Sequence, residues 1–445
     1  MNQLELFGDR MADYACEDSS DAATDFFKDS FLNIYGCLLG GFTSRVVDTL
    51  AGFYHEDAGG TGSYTPVGRK EHMPVASCVS VDALSMADLA YDDIQFGTTL
   101  HPAGPVAAAV LGVARKQKVS GAQALKAFQV GMEVECRMAV CMLGEKAGAA
   151  KGWFPTGITG GIGAASACGR LYGFDKEHMK MAQALAAARA CGNRGTHGSD
   201  TTNLVHSMAA ESGYTAASLV RKGYGCSPRA LTGKNGLIRQ LAQTPNVADA
   251  LSKLGHVRIC ETTSCKPYPY GFIAYASVDC CEQLNRITEE SGKKPKKVIA
   301  YISPGVYRLD KNPEPQRWAE AAVSLPYLIR MCILTPENIR RSLSSHFHPD
   351  EYAGADLTVE LVVEASLKDE QARMEVKMED GSTCQVECQA APGSAQKPMT
   401  SDAIREKFLM LASGRLGEDG ARQMLERLIN LEKEEDIASF LIHPC

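Results

Sequence analysis

Apolar positions in the first 260 residues recur at three- and four-residue spacing, the period of a helix with one buried face. Over 22–39, Phe26, Phe27, Phe31, Ile34 and Leu38 fall on one side. The stretches 106–116, 121–143, 161–171, 176–191 and 207–222 are Ala-rich and helix-compatible. Their small side chains predict helices that approach one another closely in a compact bundle. Polar, Gly-rich breaks at 57–63, 96–104, 152–160 and 192–203 separate them.

The pattern changes after about residue 260. Segments 297–302 and 357–364 are β-prone, and 372–378 and 382–389 alternate apolar with polar residues about Glu379-Asp380-Gly381, a hairpin turn. Between them, 317–334 reads as helix except at Pro326, and 402–412 and 419–431 return to helix. The expected fold is mostly α. A large all-α domain is built from 1–260 and from C-terminal helices in 395–445, and a smaller α+β lid spans 261–394. No internal repeat or low-complexity tract stands out.

Composition narrows the function classes. The chain has 445 residues, 46 Lys plus Arg against 53 Asp plus Glu, and a net charge of −7. Nucleic-acid binding needs clustered cations, and no basic tract is present. Apolar runs such as 105–113 fall short of the ~20 residues of a membrane helix. The start MNQLELFGDR lacks the basic, then apolar, order of a signal peptide. The expectation is a cytoplasmic protein with no nucleic-acid and no membrane partner. The 16 Cys show no CxxC spacing and mostly sit among Ala, Val and Met, so they read as reduced core residues rather than metal ligands. His346-Phe347-His348 reads as a surface loop, and no metal site is expected.

Chemistry is sought in the polar breaks. Asp92-Asp93, Thr98-Thr99 and His101 form one group, able to bind substrate or move protons, or else to cap a helix end. Segment 151–163 offers a Gly-rich helix start suited to an anion, or to close helix packing. Segment 192–206 holds Arg194, a clamp for a carboxylate, and His197 and His206, acid–base groups near neutrality, unless it is a solvated loop. Lys266, framed by Pro267, Tyr268, Pro269 and Tyr270, is a candidate base or anion-binding cation, or an exposed turn residue.

These segments, in this order, resemble the MmgE/PrpD family over nearly the whole chain. The resemblance rests on Asp48-Thr49-Leu50-Ala51-Gly52, Asp92-Asp93 with His101-Pro102, Gly131-Met132-Glu133-Val134-Glu135-Cys136-Arg137 and Gly152-Trp153-Phe154-Pro155-Thr156-Gly157. It continues through 206–213, Lys266-Pro267-Tyr268-Pro269, Ser324-Leu325-Pro326-Tyr327 and Lys397-Pro398-Met399-Thr400 with Glu406-Lys407-Phe408.

The family implies a helical domain with an α+β lid, a site between them, a homodimer, and no metal or organic cofactor. Its members act on small polycarboxylates by proton chemistry beside a carboxylate. His101, Lys266 and Tyr327 fall on family polar positions. Ala90, Ile94, Phe154, Thr202 or Asn203, and Gly271 or Tyr275 stand where the family carries an Asp, a Thr, a His, a Lys and another His. Asp88, Arg194, His197 and Tyr275 are candidate replacements.

The resulting expectation is a cofactor-independent lyase, dehydratase or decarboxylase, for a small carboxylic acid. Lys266 and His101 take the acid–base roles, Tyr327 donates, and Asp93 orients His101. Arg194, His197, His206, Thr98, Tyr268 and Tyr275 bind substrate. The exchanges suggest a substrate with fewer carboxylates or with an apolar portion. The alternatives are an epimerase or isomerase of a dicarboxylate, and a lapsed member that binds a metabolite.

Overall fold

The computed structural model describes residues 2–17, 25–148, 152–308, 312–343, 346–352 and 354–441. The expected helix over 22–39 begins among residues outside that set, as does Lys151. From Asp25 the helix runs as expected.

The first part of the chain is helical. In order it forms α1 (Gln3–Cys16), α2 (Asp25–Gly41), α3 (Arg45–Asp57), α4 (Val75–Asp88), α5 (Ala103–Ala114), α6 (Gly121–Met142), α7 (Pro155–Tyr172), α8 (Lys176–Ala188) and α9 (Thr201–Arg221). Short helices α10 (Arg229–Thr232), α11 (Leu237–Leu241) and α12 (Val247–Leu251) follow. α7 lies at the centre, against α5, α6, α8 and α9. Its crossing with α6 shows why glycine is used: a Cβ on Gly131 would stand 2.9 Å from the Gly163 carbonyl oxygen, and one on Gly163 would stand 2.7 Å from that of Gly131. Helices α7 and α9 start earlier than the apolar period suggests, at Pro155 and Thr201. Two stretches read as polar loops are therefore partly first turns of helices.

The later part carries α13 (Tyr275–Ser291), α14 (Trp318–Ala321), α15 (Leu325–Leu334) and a four-stranded sheet of β3 (Pro295–Ile302), β4 (Thr358–Val363), β5 (Ala372–Met378) and β6 (Thr383–Cys388). The sheet order is β4-β3-β5-β6, with β3 parallel to β4 and the other pairs antiparallel. Val298, Ala300 and Ile302 pair with Val376, Met374 and Ala372, so the two alternating patterns turn their apolar sides to one face, where α13 packs. Pro326 sits in the first turn of α15, where its missing N–H costs nothing. The last helix, α16 (Ser401–Ile429), is broken at Gly417 (φ +68°), between the two helical segments that periodicity separates.

The molecule is mostly α with a smaller α+β unit, and its apolar core divides accordingly. One cluster joins residues 4–260 with Ile404, Phe408, Leu428 and Phe440 of the C-terminal segment. A second spans Tyr268 to Ala391. A short antiparallel ladder links the two parts: β1 (Asp93–Gln95) pairs with β2 (Thr263–Cys265). The segment approaching β2 is anchored by a fully buried pair on α6. Arg137 donates to Glu133 (2.5 Å) and to the carbonyls of Ala250 (2.6 Å) and Val257 (2.7 Å), while Glu133 accepts from the backbone N–H of Cys260 (2.9 Å). The paired Glu and Arg of the 131–137 motif thus serve to position the chain that delivers Lys266.

Candidate functional site

The chain reverses after α4 through Ala90, held at φ +53°, and enters β1. Successive residues of an extended strand face opposite ways. Asp92 and Ile94 accordingly line a cavity, whereas Asp93 turns into the helical core. Pairing of Asp93 with Cys265 brings Lys266 beside Asp92, and the Lys266 backbone N–H donates to the Asp92 carbonyl (3.0 Å).

Lys266 Nζ donates to Asp92 Oδ1, and both side chains are buried. The second carboxylate oxygen lies 3.1 Å from His101 Nδ1, which also contacts the Asp93 carbonyl at 2.5 Å. Two acceptors at Nδ1 keep a proton there, so the neutral ring presents Nε2 as its basic nitrogen. Burial alone would raise the Asp92 carboxyl, but Lys266 and then His101 outweigh it and hold the group well below the carboxylate range. Asp93 behaves oppositely: burial, and then the charge of Asp92, push its carboxyl well above that range.

The expected role for the Asp93 side chain is therefore corrected. Asp92 orients His101 with its carboxylate. Asp93 contributes its backbone carbonyl, and its own Oδ2 accepts from Ala103 N–H at the start of α5 (3.2 Å).

The cavity has a volume of about 380 Å³. The helical part supplies Asp92, His101, His206, Phe154, Arg194 and His197. Phe154 packs among three imidazoles, with ring centroids 5.5 Å from His197, 5.7 Å from His206 and 6.4 Å from His101. Burial, then His101, push His206 down to about 3, so it is a neutral ring at physiological pH. His197 is lowered by burial and then by Arg194. The Arg194 loop is tied to the start of α7: Arg194 N–H donates to Gly152 C=O (2.7 Å) and Phe154 N–H to Gly192 C=O (3.3 Å). Arg194 Nη2 reaches Thr99 Oγ1, itself on the cavity wall.

Four expected site residues lie elsewhere. Thr98 is spent on its own turn, donating to Gln95 Oε1 through N–H (2.9 Å) and Oγ1 (2.6 Å); Thr99 faces the cavity instead. Tyr268 donates to Glu282 Oε2 (2.7 Å) inside the smaller unit. Tyr275 donates to the carbonyls of Tyr268 (3.2 Å) and Tyr270 (3.3 Å), bracing that loop. Tyr327 packs edge-on to Phe347 and Tyr352 in the smaller core, and its buried hydroxyl meets no partner among the described residues. Tyr270 rather than these three reaches the cavity wall. Asp88, a suggested replacement, is buried at the end of α4 with its carboxyl pushed up to about 6 by burial, and it does not line the cavity.

Sequence reasoning missed a cation that builds the site without lining it. Lys407 of α16 is buried and donates to Asn33 Oδ1 (2.6 Å), Tyr91 C=O (2.5 Å) and Lys266 C=O (2.9 Å), with Nζ 4.0 Å from the Tyr91 ring centre. Asn33 in turn donates to Asp92 C=O (3.2 Å). Glu135 belongs to the 131–137 motif. It is wholly buried, neither carboxyl oxygen finds a partner among the described residues, and burial, then Asp93, raise it well above the usual range. No group of three or more His, Cys, Asp or Glu suited to a metal occurs among the described residues. The described cysteines are free thiols, and no described helix is long and apolar enough to cross a membrane.

Residues 5–249 match the MmgE/PrpD N-terminal domain and residues 268–433 match the MmgE/PrpD C-terminal domain. The chain belongs to the MmgE/PrpD family. Its relatives include human cis-aconitate decarboxylase, 24% identical over 391 residues (82% of this chain and 78% of the human protein). Another is the cis-aconitate decarboxylase-like protein oryM of Aspergillus oryzae (strain ATCC 42149 / RIB 40), 23% identical over 380 residues (79% and 78%). In this MmgE/PrpD chain, Asp92 and His101 lie within the first matched domain and Lys266 lies just before the second.

Proposed function

We propose that the protein is a cofactor-independent lyase, a dehydratase or decarboxylase, acting on a small carboxylic acid. The observation that carries this reading is the Lys266–Asp92–His101 cluster on the wall of a cavity at the seam between the helical and α+β parts. The similarity to cis-aconitate decarboxylases supports the same reaction class.

The chemistry follows from the donor set. In a dehydration, His101 Nε2 takes the proton from the carbon beside the carboxylate. The C–H electrons form the double bond, and the departing β-hydroxyl leaves as water after gaining a proton. In a decarboxylation the carbon keeps the electrons of the broken C–C bond, CO₂ departs, and protonated His101 supplies the proton. In the dehydration, negative charge grows on the carboxylate beside the deprotonated carbon. In the decarboxylation it grows on the carbon that CO₂ leaves and on any group conjugated with it. The Lys266 ammonium, held by Asp92, stabilises that charge. Lys266, Asp92, His101 and His206 group together, facing an apolar wall from the smaller unit. Grouped proton handling suits a lyase better than an epimerase, which must exchange protons on two faces of one carbon. The reading includes a homodimer in the cytoplasm, checked by light scattering and cell fractionation.

The test is turnover of a panel of hydroxy- and unsaturated carboxylic acids by wild type, Lys266→Met and His101→Asn, with melting curves to confirm folding. Loss of turnover in folded variants is expected. Full activity in Lys266→Met overturns the assignment, and binding without turnover in wild type points to a metabolite-binding protein.

A further inference from the structure

The cavity's charges do not match a polyanion. Lys266 is paired with Asp92, and burial keeps His206 neutral. The Arg194 guanidinium donates to a threonine hydroxyl, and no carboxylate pairs with it among the described residues. Arg194 is exposed where it lines the cavity, so its guanidinium is open to the carboxylate of an entering ligand. The unspent permanent charge of Arg194 therefore accounts for one carboxylate.

The wall from the smaller unit points the same way. Phe272 and Ile273 lie just before α13, and Trp318, Ala322 and Val323 lie on or beside α14; all line the cavity with hydrocarbon. Phe154 extends that surface across to the imidazoles. Apolar lining with a few convergent polar groups selects a ligand that buries carbon and is oriented by one polar end.

We infer that the substrate is a monocarboxylic acid bearing a hydrocarbon chain, its carboxylate held by Arg194 and its chain against Ile273, Trp318 and Val323, with Phe154 as a specificity-determining residue. This deepens the lyase reading in its dehydratase form, since a lone carboxylate must stay on the substrate, and rests on that reading for the chemistry. Recognition itself can be measured apart from turnover, because saturated acids without a β-hydroxyl bind but cannot react.

Calorimetric titration of the full-length protein with butanoate, hexanoate and octanoate, and with succinate and propane-1,2,3-tricarboxylate, tests it. Affinity is expected to rise roughly threefold to fourfold per added methylene, and hexanoate should bind at least tenfold tighter than the tricarboxylate. Val323→Asp should erase the chain-length dependence. Arg194→Gln should weaken every acid at least tenfold, with Arg194→Lys recovering part of the loss. Phe154→His should move preference toward succinate and the tricarboxylate. Tighter binding of the tricarboxylate, a flat response to chain length, or no binding of any acid overturns the inference. If polyacids bind best and Lys266→Met is inactive, the substrate class fails and the lyase reading stands. If hexanoate binds best and Lys266→Met turns substrate over normally, the reverse holds.

Discussion

Asp92 and Asp93 are adjacent, equally buried and chemically identical, and they sit in two different regions of the molecule. Asp92 faces the cavity, where Lys266 and His101 surround it with positive charge and donors. Asp93 faces the helical interior, where one backbone N–H serves one oxygen and Oδ1 meets no partner among the described residues. Its neighbour on that side, Glu135, is raised by burial and then by the charge of Asp93. One side is a polarised pair ready to exchange protons. The other is a pair of acids kept protonated by their surroundings. Burial pushes both carboxyls up; what separates them is which partners the strand alternation of β1 turns toward each.

Substitutions can break this contrast. The largest effect is expected from Asp92→Asn, which removes the charge that pairs Lys266 and sits beside His101 Nδ1. Turnover should fall about 10²- to 10⁴-fold, the range for losing a positioned acid–base group, read by steady-state kinetics on folded protein. Next is Lys407→Met, which leaves Asn33 Oδ1 and the Lys266 carbonyl without this donor and the Tyr91 carbonyl with only the weak Cys37 S–H. At about 1–3 kcal/mol for an orphaned buried group, chemical denaturation should show a loss of several kcal/mol.

Asp93→Asn sharpens the comparison. His101 meets the backbone carbonyl of Asp93, which the substitution retains, so turnover should stay within about threefold of wild type, well short of the loss from removing an acid–base group. A fall as large as that of Asp92→Asn would reverse the two roles.

Glu135→Gln addresses pH. Glu135 is raised in the folded state, so between its unfolded value near 4.3 and its folded value the native protein binds more protons than the unfolded chain. It therefore makes stability fall as pH rises through that window, and it has no such effect below it. Asp92, held low, does the opposite: its contribution is present above its unfolded value and is lost as pH falls toward the folded one. Denaturation midpoints from pH 5 to 8.5 should decline less steeply in Glu135→Gln. The smallest effect is expected from Tyr327→Phe, whose hydroxyl has no partner to lose; activity and melting temperature should both remain near wild type.

What the sequence discloses follows from how far each interaction reaches. The hairpin at Glu379-Asp380-Gly381 is local, and Gly381 takes φ +85° there. The interruption of α16 at Gly417 is local too. Motif order carries Lys266 and His101, and both line the cavity. Tyr268, Tyr275 and Tyr327 do not line the cavity: proximity to a motif does not say which way a side chain points, and all three turn into the smaller core. Alternation through 91–95 would have separated Asp92 from Asp93. Lys407 was out of reach: its three acceptors lie 374, 316 and 141 residues away, and no local pattern encodes that convergence. The apolar cavity wall was hidden similarly, since Ile273 and Val323 meet only in the folded chain.

Lys407 also bears on biosynthesis. The turn before Asp92 and the carbonyl of Lys266 are both fastened by a side chain that leaves the ribosome 141 residues after Lys266. Until α16 has emerged and docked against α2, the nascent chain holds Tyr91 and Lys266 without their common donor. Premature termination before residue 400 should thus leave a protein that contains every cavity-lining residue and still lacks the working geometry.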